Sequence, residues 1–225
     1  MSIHAAKRHI RSTRWVPFAL IVLVLVPAIA GSLRLVELAG GPHLLPVNDR
    51  LTASSLPVAL HIVCAVAYAV LGAFQFSARI RTSRPGWHRG AGRLLVGLGL
   101  AVALSALWMT LFYPRQPGTG ELAYVFRLAF GSGMAASIIL GFAAVRRGNI
   151  GRHRAWMIRA YALALGAGTQ VFTQGLGNTV FGTNTLNTDL ALGAGWVINL
   201  AVAEYVIHRR SNIRRSCRPI AKVAA

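Results

Sequence analysis

Uncharged apolar runs of helix length alternate with short basic blocks along the chain, and this alternation predicts six membrane-crossing helices. The first run, 15–33, follows Lys7, Arg8, Arg11 and Arg14. Ala28-Ile29-Ala30 has the form of a signal-peptide cleavage site. The run is nevertheless longer than the ~7–15 residues of a signal-peptide core, and it reads as a retained helix kinked at Pro27. Residues 37–55, with paired glycines, Pro42 and Pro46, read as an outer loop. The second run, 56–78, stops at Arg79, Arg81 and Arg84 and turns at Pro85-Gly86. The third, 92–114, has Trp108 near its far end, where indoles settle at a membrane interface. The fourth, 122–145, contains Arg127, the fifth extends from 155 to about 181, and the sixth covers 189–207. The expected fold is therefore all-α, a polytopic transmembrane bundle of six helices over 15–207. A cytoplasmic N-terminus (1–14) and a basic cytoplasmic tail (208–225) flank it.

Charge sets the threading. Of the 24 lysines and arginines, all but Arg34, Arg50, Arg115 and Arg127 fall in four blocks that the alternation puts on one side. By the positive-inside rule that side is the cytoplasm, which makes this a multi-pass inner-membrane protein of bacterial type with both termini inside. Glu37, Asp49, Glu121 and Asp189 fall on the opposite side, and only Glu204 lies toward the inner end. The composition agrees: 55% of the 225 residues are hydrophobic and 13% charged, against roughly a quarter charged in soluble domains. The net charge of +19 would suggest a nucleic-acid partner in a soluble protein. Here the basic residues sit in blocks between apolar runs, so the expected partners are the bilayer and its anionic phospholipid head groups. A homo-oligomer or a membrane-protein partner is compatible with this pattern. Cys64 lies in an apolar run and Cys217 in the tail, so no disulfide is expected.

The same layout contains an internal echo. Leu71-Gly72-Ala73-Phe74-Gln75-Phe76 ends one run before His88-Arg89, and Leu140-Gly141-Phe142-Ala143-Ala144-Val145 ends another before His153-Arg154. Helices two and three would then match four and five as a parallel repeat, the alternative being two independently basic inner loops. Three segments carry a family resemblance: LHIVCAVAYAVLGAFQF (60–76), WHRGAGR (87–93) and HRAWMIRAYAL (153–163). In order and spacing they resemble a family of predicted bacterial integral membrane proteins of unknown function. The resemblance implies a polytopic helical membrane fold and no established activity.

Ionisable groups inside an apolar span cost about 2.5–3.5 kcal/mol on insertion scales, so each needs a reason. His61 and Arg127 both lie about six residues from the outer ends of their helices, roughly 9 Å deep. Gln170, Gln174 and Asn178 reach the same half from the fifth helix, and Asp189 opens the sixth. If these faces converge they form a polar pocket for a small ligand or lipid, with Asp189 as counter-ion to Arg127 and His61 as the proton-exchanging group. The competing reading is an arginine that snorkels to head groups and a histidine that bonds a nearby carbonyl. At the inner boundary His88, Arg89, Arg93, His153, Arg154 and Arg159 surround two helix N-termini, where an anionic lipid or other anion would bridge them. Topology alone also accounts for those arginines. A His88/His153 pair offers a place for haem, and a membrane redox component binding haem or quinone is the alternative function. There is no HExxH motif and no nucleotide-binding glycine signature, and no metal site or catalytic residue is expected. Glycine clusters such as Gly166-Ala167-Gly168 read as close helix contacts. The function expected is binding of a small ligand or lipid within the bundle, as in a small carrier.

Overall fold

The computed structural model describes residues 15–46 and 54–216, with side chains as far as Arg209. The expected N-terminal segment 1–14, Asp49 and Arg50 of the first loop, and tail residues 217–225 lie outside the described residues. Among the described residues eight helices follow in order: α1 (Val16–Leu38), α2 (Ser55–Gln75), α3 (Ala78–Ser83), α4 (Pro85–Phe112), α5 (Glu121–Arg146), α6 (Ile150–Ala164), α7 (Gly166–Phe181) and α8 (Thr185–Ser216).

Their boundaries follow from local chemistry. Pro85 occupies the first turn of α4, where its missing N–H costs nothing, so Trp87, His88 and Arg89 lie inside the helix. Gly148, at φ +72°, ends α5 in the left-handed region that glycine adopts without a Cβ clash. Asn149 then starts α6 by accepting the Arg152 amide at 3.0 Å on its side-chain oxygen. Glu121 and Arg146 sit at the N- and C-terminal turns of α5, each complementing the helix dipole. At the end of α1 the Glu37 carboxylate accepts from the amides of Leu44 and Leu45 at 2.7 and 2.6 Å and from Arg34 at 2.6 Å, which ties the following loop to the helix.

Among the described residues, five helices are long and apolar enough to cross a membrane: α1, α2, α4, α5 and the stretch Thr185–Arg209 of α8. The fifth apolar run differs from the expected single helix. It is broken at Leu165 into α6 and α7, each too short to cross alone, so six uniform spans are not what forms. Here Leu165 has φ −73° and ψ −3°, and its carbonyl accepts from Gly168 at 3.0 Å, a tightened turn. Neighbouring helices hold the break. Asn199 of α8 donates to the Ala162 carbonyl at 3.1 Å and accepts from the Thr169 hydroxyl at 2.8 Å, one bond on each side. Two glycines admit the neighbours: a Cβ on Gly166 would stand 2.2 Å from the Trp196 indole nitrogen, and one on Gly168 would stand 2.4 Å from the Leu23 carbonyl oxygen of α1. The sixth run also exceeds its expected end, since α8 continues through the basic stretch to Ser216.

The hairpins α2/α4 and α5/α6 are the most extensively packed pairs, α7 packs on α8, and α1 lies against α2 and α7. Tyr161 sits at the centre, donating its hydroxyl to the Ala69 carbonyl at 2.6 Å with its ring against Phe76 and Tyr68. Gly72 and Gly99 make room for these rings: a Cβ would come within 2.4 Å of Tyr161 and 2.6 Å of Tyr68 respectively. The interior is built largely from small residues, while Phe18, Leu56, Phe112, Phe172 and Phe181 are exposed. That inversion is how a bundle packs when its surroundings are hydrocarbon.

Candidate functional site

A cavity of about 520 Å³ lies in the half of the bundle where α4 ends and α5 begins. His61 comes from α2, Thr110 from α4, Gln116 from the connection, Arg127 from α5, and Gln170 and Gln174 from α7. The apolar wall includes Met109, Phe130, Met134, Leu163 and Trp196. Phe130 and Trp196 stack at 5.0 Å between centroids. Thus four of the six expected pocket residues, His61, Arg127, Gln170 and Gln174, meet around one space.

Each is set by its own helix and one neighbour. His61 Nδ1 lies 3.1 Å from the Val102 carbonyl and 3.0 Å from the Ser105 hydroxyl. Ser105 directs its own proton to the Ala101 carbonyl at 2.6 Å, so both atoms facing Nδ1 act as acceptors. The imidazole proton therefore resides on Nδ1, which leaves Nε2 as an acceptor. Arg127 donates from Nη2 to Gln116 Oε1 at 2.7 Å. Gln170 is buried and donates to the Leu192 carbonyl of α8 at 2.9 Å, while Thr173 donates to Ala191 at 2.7 Å. The Tyr113 hydroxyl donates to the Ser54 carbonyl, fastening the α4 end to the start of α2.

Two expected pocket residues lie elsewhere. Asn178 is exposed near the end of α7 and does not line the cavity. Asp189 is buried, and its two carboxylate oxygens accept the Gly120 amide at 2.9 and 3.1 Å, so it caps α5 from α8 instead of facing the cavity. A helix start buried against another helix needs an acceptor for its amides, and Asp189 supplies one. In the connection, Arg115 pairs with Glu121 and lies over the Tyr124 ring at 5.4 Å. The carboxylate raises its guanidinium pKa above the usual value. Sequence reasoning missed Gln116, Thr110 and Trp196. Gln116 lies in a Pro/Gly turn that reads only as a connector.

At the opposite end the expected basic cluster separates. Arg159 forms a two-pronged pair with Glu204 of α8, Nε to Oε1 at 2.5 Å and Nη2 to Oε2 at 2.9 Å, and covers the Trp156 ring at 4.8 Å. It is a structural clamp, and Glu204 was not anticipated as its partner. His153 donates from Nδ1 to the Gly141 carbonyl at 2.9 Å. His88 lies within electrostatic range of Arg81, Arg89 and His153, and its Nδ1 is buried without a hydrogen-bond partner among the described residues. Arg89 and Arg93 are exposed and Arg154 is half-buried. Among the described residues, no three of histidine, cysteine, aspartate and glutamate are grouped to hold a metal ion.

Residues 58–207 match a family described as predicted membrane protein, DUF2306. The chain belongs to this family. No curated protein and no solved structure matches it. The matched stretch of this DUF2306 protein runs from α2 into α8 and contains every residue lining the cavity, while α1 lies outside it.

Proposed function

We propose that this DUF2306 protein binds a small ligand in the cavity between His61, Arg127 and Trp196, in an inner membrane that it crosses six times, α6 and α7 together forming the fifth crossing. The cavity itself carries the reading. Its volume of about 520 Å³ falls within the roughly 300–1,000 Å³ usual for small-molecule sites, and it combines an apolar wall with a few polar groups. An arginine inside an apolar helix is a functional-site candidate by default. The positive-inside pattern supports cytoplasmic termini and, with them, a cavity open to the outer half of the bilayer, and reporter fusions in the α3–α4 turn test that threading. A carrier role is the activity such a site suits, and uptake into proteoliposomes reads it.

Binding is tested on purified full-length protein by thermal shift with phenylbutyrate and phenylbutanol. At least one should raise the Tm of the unmodified protein and leave that of Ala106→Phe, which fills the cavity, unmoved. Failure of both to act on the unmodified protein would remove the ligand reading. A second reading, a membrane redox component, has one observation behind it: His88 and His153 lie within electrostatic reach of each other at one end of the bundle. Purified protein without a Soret band after haem is supplied would end it. Anionic head groups at Arg89, Arg93 and Arg154 are a separate expectation that both readings accommodate.

A further inference from the structure

Where the cavity's polar groups send their protons narrows its ligand, an inference that rests on the reading of that space as a ligand site. Four side chains lining it turn a donor to a main-chain carbonyl: His61 Nδ1 to Val102 at 3.1 Å, Thr110 to Ala106 at 2.8 Å, Gln170 to Leu192 at 2.9 Å, and Tyr113 to Ser54. These groups are left with lone pairs to offer. His61 shows it most directly. Its Nδ1 faces the Val102 carbonyl, which can only accept, so the one proton of the neutral ring is there and Nε2, on the far edge, is an acceptor. Among the described residues Nε2 has no partner. The break at Leu165 adds a main-chain acceptor. The Gly168 amide goes to the Leu165 carbonyl at 3.0 Å and not to that of Ala164, its partner in a continuous helix, and Ala164 lines the cavity. We infer that the ligand is a neutral apolar molecule carrying a hydroxyl, an alcohol or phenol, which donates its proton to His61 Nε2.

A lone pair left unmet in an apolar space costs free energy, and a ligand hydroxyl removes that cost by donating to it. The oxygen of the same hydroxyl accepts in turn, and Gln174 brings an amide able to donate to it. Ethers, esters and quinones bring acceptors only, which sets lone pair against lone pair at Nε2. A hydroquinone carries the donor, so of a quinone pair the reduced form fits. An ammonium also donates, but its charge must leave water for an apolar wall, a cost that a neutral hydroxyl avoids. The apolar wall takes the hydrocarbon or aryl body.

The test compares phenylbutanol with phenylbutyl fluoride, which has nearly the same shape and no donor. Both are titrated calorimetrically into the full-length protein in nonionic detergent at about pH 8, above the ordinary imidazole range. Neither probe is charged, so the Arg127 charge does not sort them. His61→Asn keeps an amide N–H near the Nδ1 position and removes the Nε2 lone pair. The ratio of alcohol to fluoride affinity should fall about fivefold in that variant, the scale of one neutral hydrogen bond, with fluoride affinity little changed. An unchanged ratio overturns the inference and leaves the ligand reading standing. If His61→Asn does not fold, the unmodified protein decides with phenylbutanol fluorinated beside its carbinol carbon, whose hydroxyl donates better and accepts worse. Tighter binding than the parent alcohol is expected, and equal or weaker binding overturns the inference. Phenylbutyrate raising the Tm while phenylbutanol fails to bind also overturns it and spares the ligand reading, whereas failure of both probes removes the two together.

Discussion

The two ends of this bundle carry opposite amounts of charge and put it to opposite uses. At the end where α5 turns into α6, cations are plentiful, yet Arg89 and Arg93 point outward and Arg159 is taken by Glu204. At the end where α4 turns toward α5, one arginine two turns inside a helix faces a cavity with histidine and glutamine beside it. Density of charge therefore does not locate a site in a membrane protein. Abundant cations at a helix boundary set threading by staying wet, and they need no shared partner. A cation within an apolar helix has to be met by specific groups, and at Arg127 one of these is Gln116.

The break at Leu165 is where the two ends join, and disturbing it should have the largest effect. In Gly168→Ala the new Cβ would stand 2.4 Å from the Leu23 carbonyl, a backbone atom that cannot rotate away, so α1 must move off α7. Overpacking of this kind costs about 1–3 kcal/mol, and the upper part of that range is expected because backbone meets backbone. Denaturant unfolding in mixed micelles would measure it, together with weakened binding at the cavity, since Gln170 and Gln174 ride on the displaced helix. A neutral Gly168→Ala would mean that α1 is only loosely applied.

The clamp at the basic end comes next. A double-mutant cycle on Arg159→Ala and Glu204→Ala should give a coupling of about 1–2 kcal/mol. The two hydrogen bonds are charge-assisted, but side-chain exposures of 26% and 38% screen them. The contrast with the cavity end sharpens if neither change alters ligand preference there. A coupling near zero would reduce Arg159 to one more threading charge.

Asp189 separates two accounts of the cavity end. As the acceptor for the Gly120 amide it is a long-range helix cap, and Asp189→Ala should cost about 1 kcal/mol, in line with cap removals. As a counter-ion to Arg127 it would instead govern what the cavity binds. Thermal stability should therefore fall with little change in phenylbutyrate binding at the cavity. A change in that binding larger than the change in stability would restore the counter-ion role.

How much of this was legible in the sequence follows the range of the interactions involved. Apolar runs are set by spacing along single helices, and they formed helices as the pattern implied, though among the described residues five and not six are long enough to cross; His61 and Arg127 line one cavity. Helix rotation is not written in spacing alone. Arg159 and Glu204 lie 45 residues apart, and nothing in either segment says that their faces meet. The break at Leu165 was hidden for a related reason: Gly166 and Gly168 read as packing glycines, which they are, but Asn199 on another helix holds the interruption. Asp189 misled because acid beside arginine suggests a pair, whereas the unsatisfied amide of a helix start is equally strong bait and leaves no mark in composition.

The smallest effect on stability should come from the most basic part of the comparison. Arg89 and Arg93 are exposed on α4, so replacing both with glutamine removes no buried contact and should change stability by no more than about 0.5 kcal/mol. Their expected contribution is to the surrounding lipid, where each basic residue near an anionic surface is worth about 1 kcal/mol. Native mass spectrometry of the protein from nanodiscs containing phosphatidylglycerol should show fewer retained anionic lipids in the double variant, and the difference should shrink as salt rises. Phenylbutyrate affinity should stay unchanged, because these arginines and the cavity occupy opposite halves of the bundle. Loss of phenylbutyrate binding with lipid retention intact would reverse the comparison, since the crowded end would then be supplying the site proposed at the cavity.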